Sequence, residues 1–171
     1  MTVVNPGPWR VVLISVAPSP VVNLVERLLR ERGHRLVGVL TAPGPRSRRD
    51  DAYRNTMLAA RPGLDVIASN YPSRWAPMGR AWRPDLMICQ GFNWKLPADL
   101  LAIPRLGTIN GHDGLLPRYR GRNASGWALR NDEPEFGVSM HYMTPNFDDG
   151  PVLAQTAIPI TDADDADTLT E

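Results

Sequence analysis

The sequence contains one cysteine, three histidines and almost no excess of either charge. The lone thiol, Cys89, cannot form an internal disulfide, and no CxxC pair suggests a zinc site. The 19 basic and 18 acidic side chains leave a formal net charge of +1, so no strong field favours nucleic acid or an anionic membrane. These shortages exclude a disulfide-stabilised scaffold and give a nucleic-acid partner little support.

Long apolar segments are also missing. No run approaches the roughly 18 residues of a membrane span, and the first residues lack the features of a secretory signal. With 171 residues, 43% apolar and 22% charged, the composition is that of a soluble globular protein with a single domain over residues 1–171. We expect a cytoplasmic enzyme or binding protein. Ile160 to Glu171 resembles the start of a helix, and the sequence stops almost as that helix begins. We therefore expect that the chain is cut before its last structural elements.

Two common kinds of catalytic machinery are absent, a phosphate-binding loop and a reactive cysteine. The first predicted strand is followed by Ala-Pro-Ser-Pro rather than GxGxxG, which argues against a dinucleotide site there, and no P-loop occurs. Cys89 lies in an apolar run, so we interpret its thiol as a small core residue and not as a nucleophile. The chemistry must therefore come from other side chains.

Strand and helix patterns alternate along the chain. Arg10 to Val16 predicts a buried strand, Val21 to Leu29 has apolar residues at helical spacing, and Leu36 to Thr41 predicts a second strand. This β-α-β order is typical of a right-handed parallel unit. It predicts an α/β fold with a doubly wound, mostly parallel sheet and helices on both faces. Further strands are predicted at Leu64 to Ala68, Asp85 to Cys89 and Leu106 to Asn110, and helices at Tyr53 to Ala60, Pro72 to Arg83 and Pro97 to Leu101.

Polar side chains concentrate between Gly107 and Pro151. Asn110 and His112 come at the end of the fifth predicted strand, and residues two apart in an extended segment point to the same side. An amide can hydrogen-bond a developing oxyanion, and an imidazole can transfer a proton near neutral pH. Asp148 follows another apolar run and would orient the imidazole. With no Ser or Cys nucleophile beside these groups, direct transfer between two substrates is favoured.

The residues alone leave other interpretations open. A histidine at a strand end is structural more often than catalytic. His141 lies in a predicted strand, where we interpret it as a core histidine or one that supports the site. Metal binding by His112, Asp113 and Asp148 is a weaker alternative, since their spacing is not a known zinc pattern, and we expect no metal.

Several spaced motifs resemble the folate-dependent formyltransferase family. That family includes glycinamide ribonucleotide, methionyl-tRNA and sugar-amine formyltransferases. The resemblance covers most of the chain and is densest from Leu86 to Ile160. The motifs, in order, are Asn110-x-His112, Leu115-Leu116-Pro117-x-Tyr119-Arg120-Gly121, Gly137-Val138-Ser139 and Asp148-x-Gly150.

The resemblance implies a Rossmann-like catalytic domain with 10-formyltetrahydrofolate as the formyl-donating co-substrate. It implies an active site of Asn110, His112 and Asp148, with Asp148 chosen because the family's acid lies two residues before a glycine. The implied folate pocket is the segment after the fourth strand, which we call the donor segment. Its residues are Phe92, Asn93, Trp94, Lys95 and Leu96.

The implied reaction is formyl transfer to the primary amine of a small-molecule acceptor, with a sugar amine as one candidate. Arg120 and Gly121 are the predicted substrate-binding residues, although arginines beside a turn are usually only solvated. The near-neutral net charge gives a tRNA acceptor little support, so tRNA is possible but not favoured.

Two segments depart from the family pattern. The family usually has x-Ser before Leu-Leu-Pro, where this chain has Asp113 and Gly114. The donor segment is also more polar and bulkier than the family's aliphatic run. Two alternatives therefore stay open, a 10-formyltetrahydrofolate hydrolase and a folate-binding module with weakened catalysis. Formate release without an added amine would indicate the hydrolase.

Overall fold

The computed structural model of the chain describes residues 7–16, 19–42 and 64–170. The chain divides into two compact units, Met1–Thr108 and Ile109–Glu171. The single domain over residues 1–171 that the sequence predicts stays a prediction. The helix predicted at Tyr53 to Ala60 lies outside the described residues.

Parallel strands form the frame of the first unit. Strand β1 pairs with β2 on one side and β4 on the other, and β2 also pairs with β3. The predicted β-α-β order is confirmed by helix α1 between β1 and β2, which ends two residues before Gly33. The elements are β1 (Arg10–Ser15), α1 (Ser19–Glu31), β2 (Arg35–Thr41), β3 (Val66–Ala68), a 3-10 helix (Pro72–Arg74), α2 (Trp75–Ala81), β4 (Leu86–Gln90) and α3 (Ala98–Leu101).

The core of the first unit is centred on β1. Residues Val11 to Ile14 are each 0% exposed, because a parallel strand with neighbours on both sides is covered on both faces. Each such side chain contributes roughly 1.5–3 kcal/mol through burial. Trp75 and Trp82 are buried, and the Trp82 ring occupies the space where a side chain at Gly38 would project. Cys89 is buried, as predicted.

The second unit contains antiparallel strands. Strand β6 pairs with β5 on one side and with β7 on the other. Helix α4 lies between β5 and β6 in the chain, and a short 3-10 helix stands where the sequence predicts a helix start. The bounds are β5 (Thr108–Asp113), α4 (Ala124–Arg130), β6 (Glu135–Tyr142), β7 (Val152–Pro159) and the 3-10 helix (Thr168–Thr170).

Three elements of this region differ from the sequence-based prediction. Strand β5 runs to Asp113 instead of ending at Asn110, because its pairing with β6 continues as far as the Asp113–Val138 pair. His112 therefore lies inside a strand rather than after it. The sequence pattern does not predict α4, a short helix that follows Asn123 in the left-handed conformation. It also misses β7, whose side chains are all exposed and show no alternation of burial.

The hydrogen-bonded strands give a seven-stranded sheet in the order β3-β2-β1-β4-β5-β6-β7. This is the predicted α/β fold with a mostly parallel sheet. Within the first unit the strand order reverses between β1 and β4, and in such sheets ligands bind outside the carboxyl ends of the strands at that point. The Ser15 hydroxyl donates a 2.7 Å hydrogen bond to the Gln90 carbonyl there. Among the described residues, no helix has the length and apolar character needed to cross a membrane.

Candidate active site

Asn110 and His112 point to the same group of polar side chains from β5, as strand alternation predicts. Asn110 is half-buried and His112 is 7% exposed. Asn110 Nδ2 lies 3.4 Å from Asp148 Oδ1, and His112 Nδ1 lies 3.5 Å from Asp148 Oδ2. The structure thus brings together the three residues that the sequence predicts to be catalytic.

Asp148 lies in the loop between β6 and β7 and has a left-handed backbone with φ of 48°. Its side chain is 11% exposed, and Oδ2 accepts a 2.8 Å hydrogen bond from the Gly121 N–H. Two residues later, Gly150 has no space for a side chain, because a Cβ would overlap the Tyr142 carbonyl. The loop backbone therefore holds the carboxylate where both β5 side chains reach it.

His112 is contacted at both ring nitrogens. Its Nε2 lies 2.9 Å from the backbone carbonyl oxygen of Tyr119, and its Nδ1 faces Asp148. A carbonyl oxygen only accepts hydrogen bonds, so Nε2 carries the hydrogen. The nitrogen that can exchange a proton is consequently Nδ1, the one that faces the carboxylate.

His141 is the fourth member of this group, and we call Asn110, His112, His141 and Asp148 the polar cluster. The His141 side chain is 1% exposed, with Nδ1 2.8 Å from the Tyr142 carbonyl oxygen. Its Nε2 lies 3.1 Å from Asn110 Nδ2 and 3.3 Å from Asp148 Oδ1. His141 lies beside Asn110 because the register between β5 and β6 pairs these two residues. Sequence reasoning missed this position, since the sequence does not reveal the register of the two strands.

Within the polar cluster, His141 and Asp148 shift the pKa of each other. Burial is the largest influence on His141 and opposes its charged form, yet the hydrogen bonds to Asp148 and the Tyr142 carbonyl raise its pKa above the usual 6.5. Burial likewise opposes ionisation of Asp148, but the hydrogen bonds from His141 and Gly121 and the adjacent His112 hold its pKa below the usual 3.8. Asp148 and His141 therefore each favour the charged form of the other.

Asp149, the neighbouring acid, has different partners. Its carboxylate is exposed and accepts hydrogen bonds from Thr144 Oγ1 and, at 2.8 Å, from Asn146 Nδ2. These bonds, with that from Thr144 first, lower the pKa of Asp149 below its usual 3.8. Asp149 thus belongs to the surface of the loop, which supports the choice of Asp148 as the acid of the polar cluster.

The predicted substrate-binding residues, Arg120 and Gly121, have different surroundings. The Arg120 side chain is exposed, and its positive charge contributes to the lowered pKa of Asp149. Gly121 contacts the polar cluster through its backbone N–H, which donates a hydrogen bond to Asp148. Their predicted role in substrate binding stays a prediction.

No metal centre emerges at the polar cluster. Asp113, one of the three residues in the metal alternative, is exposed at the end of β5. Across residues 7–16, 19–42 and 64–170, no group of three or more His, Cys, Asp or Glu side chains is arranged to hold a metal ion.

The donor segment directly follows β4 in the first unit. The Phe92 ring packs edge-on against Trp75 at 5.3 Å between centroids, and the Trp94 ring lies 5.1 Å from Phe92. Leu96 is buried, whereas Asn93 and Lys95 are exposed. The segment therefore combines a half-buried aromatic pair with outward polar groups, beside the point where the strand order reverses.

Comparison with known proteins decides the family. The model of a family described as formyl transferase matches residues 10–171. The chain belongs to this family. Among curated relatives, the methionyl-tRNA formyltransferase of Limosilactobacillus fermentum is 32% identical over 90% of this chain and 50% of its own length. That of Parabacteroides distasonis is 36% identical over 84% of the chain and 46% of its own length. The chain spans about half the length of the curated relatives it matches.

Solved structures support the fold. Glycinamide ribonucleotide transformylase 1 from Symbiobacterium toebii superimposes with a TM-score of 0.79 at 19% identity, over 95% of this chain and 79% of that one. Phosphoribosylglycinamide formyltransferase from Bacillus halodurans gives 0.75 at 21% identity, over 94% and 85%. A protein from Mycobacterium tuberculosis, described as a candidate sugar N-formyltransferase, gives 0.67 at 18% identity, over 95% and 60%.

Gly114, where the family pattern has serine, fits closely beside His112. A Cβ at this position would lie 2.9 Å from His112 Nε2, closer than real Cβ atoms approach, and would make a tight 3.0 Å contact with the Ala124 Cβ. The Gly114 carbonyl accepts a 2.5 Å hydrogen bond from Ser139 Oγ. The glycine is therefore compatible with the His112 position in this formyl transferase domain.

Proposed function

We propose that this chain transfers a formyl group from 10-formyltetrahydrofolate to the primary amine of a small-molecule acceptor. The observation that carries this proposal is the convergence of Asn110 and His112 within 3.5 Å of the Asp148 carboxylate, in a chain of the formyl transferase family. An amide donor, an imidazole and a carboxylate supply what an acyl transfer needs without a nucleophilic side chain.

The donor segment suits a folate-type ligand. Such a ligand has flat aromatic rings and a terminal carboxylate. Phe92 and Trp94 form a half-buried aromatic pair that suits stacking on a flat ring, and the exposed Lys95 suits a carboxylate. The location after β4, at the reversal of strand order, supports the same assignment.

Each member of the polar cluster has a distinct role in this proposal. The bound donor supplies an electrophilic formyl carbonyl. The Asn110 amide donates a hydrogen bond to the carbonyl oxygen as negative charge develops on it. As the acceptor nitrogen bonds to the formyl carbon, His112 takes its proton at Nδ1, since Nε2–H is committed to the Tyr119 carbonyl. Asp148 stabilises the resulting imidazolium, and His141 keeps Asp148 ionised. The bond between the formyl carbon and N10 of the donor then breaks, and His112 returns the proton to N10, so that tetrahydrofolate leaves.

The acceptor has two candidates from different classes. A small amine, such as an amino sugar or glycinamide ribonucleotide, suits the net charge of +1, which offers little attraction for nucleic acid. The initiator tRNA is the competing acceptor, because the relatives named above are methionyl-tRNA formyltransferases at 32–36% identity. We favour the small amine.

A formyl-transfer assay against amino sugars, glycinamide ribonucleotide and methionyl-tRNA tests this function. We expect amine-dependent turnover, and we expect His112→Ala to lower kcat by about 100-fold or more while donor binding survives, because general acid–base catalysis typically contributes that much. The matched control is His34→Ala, a histidine of the first unit that stacks on Trp9.

Three outcomes would contradict the proposal. Near-normal turnover by His112→Ala would remove the histidine from the mechanism. Formate release that is independent of any amine would indicate a hydrolase instead. Tight donor binding without turnover on any acceptor would indicate a binding module.

A further inference from the structure

The loop of residues 118–121 contacts the polar cluster on one side and an acidic anchor on the other. On the inner side, the Tyr119 carbonyl meets His112 Nε2 at 2.9 Å, and the Gly121 N–H meets Asp148 Oδ2 at 2.8 Å. Both contacts use backbone atoms of the loop. The positions of two catalytic groups therefore depend on the conformation of this loop rather than on its side-chain chemistry.

The loop backbone has an unusual conformation. Tyr119 has φ of 55° and Gly121 has φ of 86°, both in the left-handed region. A non-glycine residue such as Tyr119 adopts this region at a cost and keeps it only when surrounding contacts hold it. Some other group must consequently hold Tyr119.

Glu133 contacts Tyr119 from the side of the loop that faces away from the polar cluster, and it holds Tyr119 in this conformation. The Tyr119 hydroxyl donates a 2.5 Å hydrogen bond to Glu133 Oε1, and Arg118 Nη1 lies 2.6 Å from Glu133 Oε2. Asn131 Nδ2 in turn donates a 2.9 Å hydrogen bond to the Tyr119 hydroxyl. The Glu133 side chain is 16% exposed, so this anchor is partly shielded from water.

We propose that Glu133 is a positioning residue for formyl transfer, which acts through Tyr119 to orient His112. This inference rests on the proposed function of the polar cluster. Glu133 bonds the phenol of the same residue whose carbonyl fixes His112, so the link between Glu133 and the reacting imidazole passes through a single residue. The Arg118 contact adds less, because its side chain is 50% exposed and exposed ion pairs contribute little.

The experiment measures kcat and donor KM for Glu133→Ala, Tyr119→Phe and Arg118→Ala. We expect kcat to fall about tenfold to 100-fold in the first two, since a displacement of about 1 Å at a reacting group can cost 100-fold. Donor KM should stay unchanged, because the donor segment lies elsewhere in the chain. Arg118→Ala should have a small effect. The matched control is Arg105→Ala, which breaks another ion pair, 2.7 Å long, with an arginine 57% exposed.

Two further readouts separate positioning from general destabilisation. In a His112→Ala background, Tyr119→Phe should lower kcat no further, because the group that it positions is gone. The 15N NMR signals of the His112 ring should shift in Glu133→Ala and Tyr119→Phe and stay constant in Arg105→Ala. That measurement needs no turnover, and Tyr119→Phe is a conservative change that preserves the packed ring.

The outcomes distinguish this inference from the function on which it rests. If His112→Ala and Asp148→Asn abolish transfer while Glu133→Ala and Tyr119→Phe keep wild-type kcat, the positioning role alone is overturned. Unchanged His112 ring signals in both variants also overturn it, whether or not transfer is detected. If His112→Ala retains transfer, the proposed role of His112 in catalysis is overturned, and with it the basis of the positioning role.

Discussion

At the scale of single residues, Asp148 has polar contacts on several sides. Its carboxylate meets Asn110, His112, His141 and the Gly121 N–H within 3.5 Å. Donors around a carboxylate favour its charged form, which explains why its pKa is lowered in spite of burial. The charged carboxylate in turn favours the protonated form of His141.

Replacement of His141 by glutamine should change how stability depends on pH. A raised pKa in the folded state means that folding binds a proton more tightly, so this stabilisation is complete below pH 6.5 and is lost as pH rises through the raised value. The free energy of unfolding in urea, measured over a pH series, should therefore favour wild type over His141→Gln most strongly between pH 3.8 and 6.5, where Asp148 is charged and His141 is protonated. The difference should shrink above 6.5.

The control for this prediction is the same substitution in an Asp148→Asn background. Without the carboxylate that favours the charged imidazole, His141→Gln should show much less pH dependence. A stability difference that stays constant across the series would contradict the assigned pairing of His141 with Asp148. Asp148 has the opposite dependence, since its contribution is present above pH 3.8 and is lost as pH falls.

At the scale of secondary-structure elements, one row of side chains crosses the three strands of the second unit. Ser139 of β6 lies opposite His112 of β5 and Gln155 of β7. Its buried hydroxyl donates to the Gly114 carbonyl and accepts hydrogen bonds from the Leu116 N–H at 3.0 Å and Gln155 Nε2 at 2.8 Å. These hydrogen bonds connect the turn after β5 with strands β6 and β7.

Ser139→Ala should lower the free energy of unfolding by about 1–3 kcal/mol, because it leaves buried partners without hydrogen bonds. Chemical denaturation measures this loss. The matched control is Thr108→Val, which removes a buried hydroxyl that has no hydrogen-bond partner among the described residues. That control should be neutral or stabilising, and an equal loss in both variants would show that the row contributes no more than ordinary packing.

At the scale of the whole molecule, the residues proposed for donor binding and for catalysis lie in different compact units. The donor segment belongs to the first unit, and the polar cluster belongs to the second. The family match spans both of them, from residue 10 to residue 171. Donor binding and catalysis should therefore respond to different substitutions.

Trp94→Leu should weaken donor binding and leave kcat nearly unchanged. Aromatic stacking contributes about 0.5–1.5 kcal/mol, so the donor Kd should rise roughly 2- to 10-fold. Quenching of tryptophan fluorescence during titration with a folate ligand measures Kd, and most of the quenching should disappear in this variant. Trp127→Leu, at a tryptophan 49% exposed in the second unit, is the control. An unchanged Kd in Trp94→Leu would exclude stacking on Trp94.

The sequence by itself determined the local features of this protein. The apolar run of β1, the helical spacing of α1 and the run of β2 are patterns of neighbouring residues, and each formed where predicted. The spaced motifs also predicted Asn110, His112 and Asp148 as the site residues, and their catalytic role stays a prediction. The family followed from the same motifs.

Only the tertiary structure decided the rest of the polar cluster. His141 joins it through the register of β5 against β6, and strand patterns do not specify a register. The contacts from Tyr119 and Gly121 use backbone atoms. Because every residue has a backbone carbonyl, and all but proline an N–H, the residue types at these positions do not predict the contacts. Glu133 reaches His112 through Tyr119, a relation that exists only when distant segments fold together.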